Sequence, residues 1–481
     1  MLFNSFEFLF FFPLVLVGYY LLPHKFRWAF LLLSSYYFYA SSIPSLLILL
    51  LISTVVDYIC GLKMYNSLTQ KSKKKFLLLS ILVNLGLLFS FKYLAFFTTT
   101  IDDILHFFGL EGVRSINVNS YSFNQILLPV GISFYTFQTM SYSIDVYRGK
   151  LIPEKHFGKF ALFVAFFPQL VAGPIERAGK LLPQFNKTIH LNIDNIRKGL
   201  VLMAWGFFLK VVVADRLGIY VDMAFADPGK NSGLPLVVGA TFFAFQIYYD
   251  FAAYTSIAIG AAKTMGYDLM QNFNRPFFST SSSEFWKRWH ISLMKWMRDY
   301  LYEPLVRKLK FSRLTAVLVV FFINGLWHGA SWTFVIWSML NAFLLIIEVA
   351  TAKERMKIIK KLGISKRASS VLGWLMITGY LVLSLVFFRA SSLTHALYYL
   401  KSMLHVNTLN INIISNPLEL GLSIFFILTV QLIHYYKGND KVFELVLDRS
   451  TSVRWVMYTT YIFVIVLFAI NRQNTFIYFQ F

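Results

Sequence analysis

Residues 314–350 read LTAVLVVFFINGLWHGASWTFVIWSMLNAFLLIIEVA, an apolar run that contains two ionisable side chains, His328 and Glu348. A membrane-spanning helix needs about 20 predominantly apolar residues, so this run is long enough for two short spans. Ionisable groups are costly inside a membrane and usually serve a function there. The stretch therefore indicates a helical membrane protein and makes His328 its first residue of functional interest.

The composition of the whole chain also favours a membrane protein. Of the 481 residues, 57% are hydrophobic and 14% are charged, whereas a soluble globular domain has about 45–50% and about 25%. These values argue against a water-soluble enzyme and against a disordered chain. The single cysteine, Cys60, excludes an internal disulfide and a cysteine-rich metal site.

Apolar runs that are candidates for spans follow one another along the chain. They lie near residues 3–22, 26–40, 43–62, 76–97, 124–146, 159–173, 199–221, 234–262, 314–350, 368–388, 418–436 and 453–470. Runs near 15 residues need not cross the bilayer, and we predict about eleven spans together with re-entrant and interfacial helices. The expected fold is an all-α, polytopic transmembrane helix bundle that forms one domain over residues 1–481.

The positive charge of the chain fits the same class. There are 45 Lys and Arg against 23 Asp and Glu, which gives a net charge of +22. The basic residues lie mostly in short segments between apolar runs, as the positive-inside rule requires, and no nucleic-acid-binding module is present. We therefore predict a multi-pass protein of the cell membrane. The loop at 71–75 and the cluster at 353–367 would face the cytoplasm and the N-terminus the outside.

The residues around His328 read NGLWHGASW over 324–332. Gly325 and Gly329 have the small-xxx-small spacing that lets helices, or a substrate, approach the backbone. One interpretation is a helix-packing motif with a hydrogen-bonded histidine. The crowding of two tryptophans, two glycines and an asparagine favours the other interpretation, a catalytic histidine, because imidazole is the natural general base near neutral pH.

A second segment, residues 284–302, has two different faces at the helical period. One face is aromatic and consists of Trp286, Trp289, His290, Leu293, Met297 and Tyr300. The other is largely basic and consists of Lys287, Arg288, Ile291, Lys295 and Arg298. The pattern predicts a helix that lies in the membrane interface, with a plain surface anchor as the alternative. An inward-facing His290 needs a polar partner or a substrate.

Two further features are polar residues in unusual places. Asp250 interrupts the apolar run 234–262, so we expect it to be paired, with a structural ion pair as the favoured interpretation. Asn272 and Arg275 belong to the turn NFNRP at 272–276. Such a turn can hold a phosphate or a carboxylate, although turns of this composition are common.

Several of these motifs together resemble the membrane-bound O-acyltransferase family, and most of all its bacterial branch typified by alginate O-acetyltransferase. The paired histidine motifs are FWKRWHISL at 285–293 and GLWHGASW at 325–332. Further similarity lies in LPVGISFYTFQ at 128–138, FPQLVAGPI at 167–175, NFNRP at 272–276 and FIYFQF at 476–481. The chain departs from the branch at 252–256 and 306–309, which bears on the identity of the acceptor.

The resemblance implies an O-acyltransferase that moves an acyl group, expected to be acetyl, to a hydroxyl of an extracellular polysaccharide. The donor would be a cytoplasmic thioester such as acetyl-CoA, used as a co-substrate, and a secreted protein is a further expected acceptor. No bound cofactor, metal or nucleic acid is implied. His328 is the predicted general base, and His290 would orient the substrate or hydrogen-bond the thioester oxygen. The predicted substrate-binding residues are Asn324, Trp327, Trp289, Asn272, Arg275, Asp250 and Gln138.

Two other functions stay open at this point. One is D-alanyl transfer to teichoic acid from a carrier protein, within the same superfamily. The other is a transporter of a glycan precursor, in which the histidines relay protons; the lack of an internal repeat argues against it. The depth of His328 is also open, because a tight hairpin would place it near the outer face and a broken helix near mid-membrane.

Overall fold

The computed structural model describes residues 1–41, 43–109, 131–405, 416–439, 441–470 and 476–477. Within these ranges every regular element is helical, which confirms the predicted all-α class. Part of the predicted run 124–146, the first three residues of the 128–138 motif and most of the 476–481 motif lie outside the described residues.

The helices are numbered in chain order. The first twelve are α1 (Phe6–Leu21), α2 (His24–Ala40), α3 (Leu47–Asn66), α4 (Gln70–Leu88), α5 (Leu94–Phe107), α6 (Ile132–Tyr147), α7 (Phe157–Ala165), α8 (Phe167–Leu170), α9 (Ala178–Phe185), α10 (Ile193–Phe207), α11 (Asp215–Ala226) and α12 (Leu234–Thr264). The others are α13 (Ser282–Arg288), α14 (Ile291–Met297), α15 (Glu303–Arg307), α16 (Arg313–His328), α17 (Trp332–Ala350), α18 (Ala352–Lys361), α19 (Lys366–Arg389), α20 (Leu393–Met403), α21 (Pro417–Lys437), α22 (Val442–Leu447) and α23 (Thr451–Phe468).

Short helical segments of a different pitch interrupt or extend this series. Three are π-turns, at Phe89–Tyr93, Phe208–Ala214 and Arg298–Tyr302. Two are 3₁₀ turns, at Pro44–Leu46 and Pro276–Phe278. The π-turn at Phe89–Tyr93 joins α4 and α5 into one continuous helical stretch, Gln70–Phe107.

Seven helical stretches of the described chain are long and apolar enough to cross a membrane. They are Pro44–Asn66, Gln70–Phe107, Leu234–Thr264, Trp332–Ala350, Lys366–Arg389, Pro417–Lys437 and Thr451–Phe468. The helices α1 and α16 are apolar but shorter. The protein is therefore a multi-pass membrane helix bundle, as predicted, with fewer long spans than the predicted total of about eleven.

Part of the difference comes from predicted runs that form short or interrupted helices, such as α1 with 16 residues and α2 with 17. The run 159–173 ends as α7 at Ala165 and resumes as the four-residue α8, with Pro168 inside it. The run 199–221 passes from α10 through a π-turn into α11 and contains three charged residues, Lys210, Asp215 and Arg216. The run 314–350, by contrast, forms the two predicted helices, α16 and α17. Apolarity predicted which segments form long helices, but it does not show where the backbone changes pitch.

Helix α12 forms the centre of the bundle and is the most buried of the seven long helices. It packs against α10, α11, α19 and α20. Its contact with α10 is close because two glycines face each other. A Cβ atom on Gly260 would lie 2.5 Å from the carbonyl oxygen of Gly199, so a larger residue would push the two helices apart.

Polar side chains hold α3, α4 and α6 together. The carboxylate of Asp57, which is fully buried, accepts hydrogen bonds from Asn84 Nδ2 at 2.8 Å and from Ser143 Oγ at 3.0 Å. It also accepts one from Ser80 Oγ. Buried polar groups need such partners, and here the partners come from two neighbouring helices.

Candidate active site

The helices α16 and α17 form a hairpin with His328 at its turn. Ser312 caps the start of α16 by accepting a hydrogen bond from Thr315 N at 3.1 Å. The helix ends at His328, and Gly329 is extended, with φ −164°. Ser331 then caps the start of α17. The predicted pair of short helices is confirmed, and the break between them lies directly after the histidine.

The two glycines of this motif bring the hairpin helices together. A Cβ on Gly325 would lie 2.8 Å from the carbonyl oxygen of Phe334 and 2.8 Å from the Cα of Val335. A Cβ on Gly329 would lie 2.2 Å from the ring of Phe334. The predicted small-xxx-small spacing therefore serves the packing of α16 on α17, which fixes the place of His328 between them.

Aromatic rings surround His328. The centroid of its imidazole lies 4.9 Å from the ring of Trp327, 5.1 Å from that of Trp337 and 5.3 Å from that of Phe388. Only 4% of the residue is exposed. Because α19 contributes Phe388, the wall of the site is made by elements that are distant in sequence.

The second histidine lies at a break that the periodicity did not predict. The continuous interfacial helix expected over 284–302 is wrong, because α13 ends at Arg288 and α14 begins at Ile291. His290 has a left-handed backbone, with φ 43°. The predicted division of faces still holds: Trp286 and Leu293 are buried, and Lys287 and Lys295 are exposed. The aromatic face therefore turns into the protein core and not toward lipid headgroups.

A short backbone pairing stabilises this break. The amide N–H of Asn274 donates to the carbonyl oxygen of Arg288 at 2.9 Å, and that of Ile291 donates to the carbonyl oxygen of Asn272 at 2.9 Å. The turn that precedes α13 thus runs beside Trp289 and His290. These bonds satisfy backbone groups that have no helical partner because the left-handed His290 interrupts the helix.

The two ends of this interrupted helical segment lie beside the C-terminal ends of two neighbouring helices, α17 and α6. The amide N–H of Ser282 donates to the carboxylate of Glu348, near the end of α17, at 2.5 Å. The hydroxyl of Tyr300 donates to Asp145, near the end of α6, at 2.7 Å. His290, between them, contacts Phe134 near the start of α6. The chain therefore turns back on itself at His290.

The side chain of Asn272 holds His290 in place. Its Oδ1 accepts hydrogen bonds from the amide N–H of Ser292 at 3.1 Å and from the Ser292 hydroxyl at 2.8 Å. The same oxygen lies 3.2 Å from His290 Nδ1. Because the amide N–H of Ser292 can only donate, the Asn272 atom that it binds must be the side-chain oxygen. This oxygen can only accept, so His290 Nδ1 carries the proton in the hydrogen bond between them. In a neutral imidazole Nε2 is then a proton acceptor.

One indole connects the two histidines. The ring of Trp327 lies 4.9 Å from the imidazole of His328 and 5.5 Å from that of His290. It also packs edge-on against Phe134 at 5.2 Å, and its Nε1 donates to the carbonyl oxygen of Ser133 at 3.3 Å. The two motifs predicted from separate segments therefore meet at a single buried side chain.

Two polar atoms beside His328 have no hydrogen-bond partner within the described residues. One is Oδ1 of Asn324, a fully buried residue one helical turn before His328, whose Nδ2 donates to Ser338 Oγ at 3.2 Å. The other is Nε1 of Trp337. Buried polar groups are nearly always partnered, so these two atoms are available to a bound ligand.

The other predicted substrate-binding residues have partners within the protein. Trp289 stacks on Phe285 at 5.4 Å. Gln138 Nε2 donates to the carbonyl oxygen of Phe163 at 2.7 Å. The guanidinium of Arg275 donates to the carbonyl oxygen of Tyr435 at 3.2 Å.

Asp250 forms the kind of structural pair that the sequence favoured. Its carboxylate lies 2.6 Å from Lys210 Nζ, and Lys210 lies 2.9 Å from Asp215. The amide N–H of Ile477 donates to the same carboxylate at 2.6 Å. Lys210, Asp215 and Asp250 are called the Lys210 cluster below.

Sequence reasoning missed Lys92 and Tyr93, which contact the end of α16. Lys92 Nζ donates to the carbonyl oxygen of Trp327 at 2.7 Å and to that of His328 at 3.2 Å. A single lysine inside the apolar run 76–97 was a visible signal, by the same rule that singled out His328. Among the described residues, no group of three or more His, Cys, Asp or Glu side chains is placed to hold a metal ion.

Comparison with known proteins gives one family and several similar sequences. The profile of the MBOAT, membrane-bound O-acyltransferase family, matches residues 32–389. A protein of Azotobacter vinelandii named "Probable alginate O-acetylase AlgI" is 39% identical over 354 residues, which cover 73% of this chain and 69% of that protein. Its namesake in Pseudomonas aeruginosa is 35% identical over 442 residues, or 91% and 81% of the two chains. The peptidoglycan O-acetyltransferase of Helicobacter pylori is 32% identical over 445 residues, or 85% and 80%.

Proposed function

This chain belongs to the membrane-bound O-acyltransferase family, and on that premise we propose that it acetylates a hydroxyl of an extracellular polysaccharide. The donor in this proposal is a cytoplasmic thioester, acetyl-CoA in the first instance. The observation that carries the proposal is the meeting of His290 and His328 on the indole of Trp327. Two imidazoles in one dry, aromatic site suit proton transfer during attack on a thioester.

The proposed reaction needs one proton acceptor beside the hydroxyl. The hydroxyl oxygen attacks the thioester carbonyl carbon while neutral His328 takes its proton. The carbon–sulfur bond then breaks, and the imidazolium returns the proton to the leaving thiolate. The products are an acetyl ester and a free thiol, and the enzyme returns to its starting state without a resident cofactor.

His290 has a supporting role in this proposal. Its Nδ1 proton is directed to Asn272, so in the neutral form Nε2 accepts and does not donate a hydrogen bond. This supports orientation of the acceptor hydroxyl over the alternative of a hydrogen bond to the thioester oxygen. Asn324 Oδ1 and Trp337 Nε1 supply an acceptor and a donor for polar groups of a bound substrate.

The geometry of the hairpin supports delivery across the membrane. Helix α16 has 16 residues, which corresponds to about 24 Å of helix, and it starts next to the basic residues at 307–313. The hydrocarbon core of a bilayer is about 30 Å thick. The tight hairpin therefore supports a position of His328 toward the face opposite these basic residues, which would be the outer face under the positive-inside rule.

Access to His328 requires movement of its aromatic wall. The residue is 4% exposed, and Trp337 and Phe388 both lie against the ring. A thioester from one side and a hydroxyl from the other reach the imidazole only when these side chains shift. Such a shift is a condition of the proposed function.

The acetyl group and a polysaccharide acceptor are supported by the names of the relatives. All three relatives given above are named for O-acetyl transfer, two of them to alginate and one to peptidoglycan. Since these acceptors differ from each other, the proposal is confined to the class, a hydroxyl-bearing extracellular polysaccharide. A secreted protein that receives the acetyl group first is compatible with the same chemistry.

The test is an acyl-transfer assay with protein reconstituted in liposomes. Acetyl-CoA labelled in the acetyl group, a D-alanyl carrier-protein thioester and an oligosaccharide acceptor are offered in separate arms. The proposal expects labelled ester from acetyl-CoA, and about 10²–10⁴-fold slower labelling when His328→Ala replaces the wild type. Ester formed only from the D-alanyl thioester, or movement of oligosaccharide without any covalent product, would contradict it.

A further inference from the structure

The carboxyl-terminal end of α16 is buried at the residue that carries the proposed base. The last four carbonyl groups of a helix have no partner within that helix, and a buried carbonyl without a partner is costly. In this structure each of the last four carbonyls, 325–328, accepts a hydrogen bond. The source of these bonds shows what holds the end of the helix.

Only one of the four bonds comes from the hairpin itself. The amide N–H of Gly329 donates to the carbonyl oxygen of Gly325 at 3.3 Å. The next carbonyl, that of Leu326, accepts from the hydroxyl of Tyr93 at 2.9 Å. Tyr93 lies more than two hundred residues earlier in the chain, so this contact depends on the tertiary fold.

The remaining two bonds come from the neighbour of Tyr93. Lys92 Nζ donates to the carbonyl oxygens of Trp327 and His328 at 2.7 Å and 3.2 Å. Its third polar contact is Ser133 Oγ at 3.4 Å. An ammonium group has three N–H donors and no acceptor, and three protein oxygens occupy it here. Lys92 therefore has no donor left for a substrate, and its effect on chemistry must pass through the helix end.

The two adjacent residues that bind this helix end both lie in a π-turn. Neighbouring side chains of an α-helix point about 100° apart. Lys92 and Tyr93 lie in the π-turn Phe89–Tyr93, whose wider winding changes this angle. Short π segments of this kind often occur at functional sites. A positive charge at the carboxyl end of a helix is also favourable, because the carbonyl dipoles point toward it.

We propose that Lys92 and Tyr93 are positioning residues that hold the end of α16, and with it the imidazole of His328, in the geometry needed for proton transfer. This inference rests on the proposed function of His328. Reacting groups must stay within about 0.5 Å of their productive positions. A helix end held by two side chains from another span meets that requirement, whereas a frayed end does not.

The experiment compares four variants of the full-length protein in liposomes. Lys92→Met removes the ammonium but keeps a long side chain, and Lys92→Arg keeps a charged donor. Tyr93→Phe removes only the bond to Leu326. Lys74→Met, an exposed lysine on the preceding α4, is the matched control. The measurements are kcat, the KM for the thioester, and hydrogen–deuterium exchange of the backbone over 325–331.

For Lys92→Met we expect a fall in kcat of about tenfold to a hundredfold, an unchanged KM and faster exchange over 325–331. Tyr93→Phe should shift both in the same direction by less, Lys92→Arg should recover part of the loss, and Lys74→Met should match the wild type. A raised KM with normal kcat would assign Lys92 to donor binding and overturn the inference. Faster exchange with normal kcat would show that Lys92 holds the helix end without affecting the reaction, and would overturn the positioning role. Unchanged exchange would show that Lys92 does not hold the helix end.

The exchange measurement separates this inference from the proposed function. If the wild-type protein transfers no acyl group, the proposed function fails, and exchange over 325–331 still decides whether Lys92 and Tyr93 hold the helix end. If the wild type is active and Lys92→Met keeps both its rate and its exchange pattern, the proposed function stands and the positioning role is refuted.

Discussion

The Lys210 cluster and the histidine site are both buried and polar, but their partners differ in charge. In the cluster, Lys210 faces two carboxylates at 2.6 Å and 2.9 Å. In the histidine site, the hydrogen-bond partner of His290 is the neutral amide of Asn272, and the ammonium of Lys92 is bound by backbone carbonyls and a hydroxyl. In the Lys210 cluster, carboxylates neutralise the charge of the ammonium group. In the histidine site, uncharged amide, carbonyl and hydroxyl groups hydrogen-bond to the buried side chains.

Under the proposed function, this difference separates a structural role of the Lys210 cluster from a chemical role of the histidine site. Carboxylates that face an ammonium are occupied by it, and removing one partner leaves an uncompensated buried charge. Neutral neighbours leave an imidazole able to take up a proton and give it back during a reaction. Substitutions in the Lys210 cluster should therefore act mainly on folding, and substitutions in the histidine site mainly on rate.

The largest effect is expected for His328→Ala. Loss of a general base lowers a rate by about 10²–10⁴-fold, and a smaller neutral side chain leaves no charge behind in the core. Acetyl transfer should fall by that factor while the amount of inserted protein stays near that of the wild type. An exposed histidine, His405, provides the control in His405→Ala. Undiminished transfer by His328→Ala would remove His328 from the mechanism.

Lys210→Met should mainly lower the stability of the folded protein, in contrast to His328→Ala, which should mainly lower the rate. Removing one partner of a buried ion pair costs about 3–5 kcal/mol, so the folded, monodisperse fraction after detergent extraction should fall sharply. The triple variant with Asp215→Asn and Asp250→Asn removes the charges together and should recover much of the loss. Size-exclusion profiles and thermal midpoints measure both. A well-folded but inactive Lys210→Met protein would instead place the cluster in the catalytic machinery.

Asn272→Ala should have an intermediate effect on rate. It removes the acceptor of His290 Nδ1 and of the Ser292 donors, and lost buried hydrogen bonds of this kind cost about 1–3 kcal/mol. Since His290 then loses its fixed orientation, kcat should fall by about tenfold to a hundredfold with the histidine still present. Asn272→Asp, which keeps the acceptor oxygens, is the comparison. Equal activity of Asn272→Ala and wild type would show that His290 needs no such support.

The smallest effect is expected at Glu176, a buried carboxyl between α8 and α9 that accepts a hydrogen bond from the amide of Met270. Burial raises the pKa of Glu176 to about 7. A carboxyl whose folded-state pKa is raised contributes stability below its unfolded pKa, and that contribution is lost as pH rises through about 7. The thermal midpoint of Glu176→Gln should therefore rise relative to that of the wild type as the pH increases from about 5 to about 8. A thermal midpoint of the variant that falls relative to that of the wild type as the pH increases would contradict this sign.

Much of the fold and the two histidines could be predicted from the sequence. Apolar length gave α1, α2, α12, α16 and α17 close to their observed bounds, because burial in lipid or protein leaves a direct mark on composition. The resemblance paired 285–293 with 325–332, and the structure brings both to Trp327. The left-handed His290 was not predictable from periodicity, since a helical pattern continues across the break. Nor were the contacts of Lys92, which lies in a π-turn and binds a partner more than two hundred residues away.

The π-turn at Phe89–Tyr93 gives the chain one place where it can lose a residue without turning the helices on either side. A π-turn holds one residue more than an ordinary helical turn, so a one-codon deletion between 89 and 93 would leave an α-helix in which α4 and α5 stay close to their present relative orientation. The same deletion elsewhere in Gln70–Phe107 would turn everything downstream by about 100°. A frame-preserving deletion scan should therefore leave the flanking helices in place only at 89–93, where the loss falls on the bonds to the end of α16.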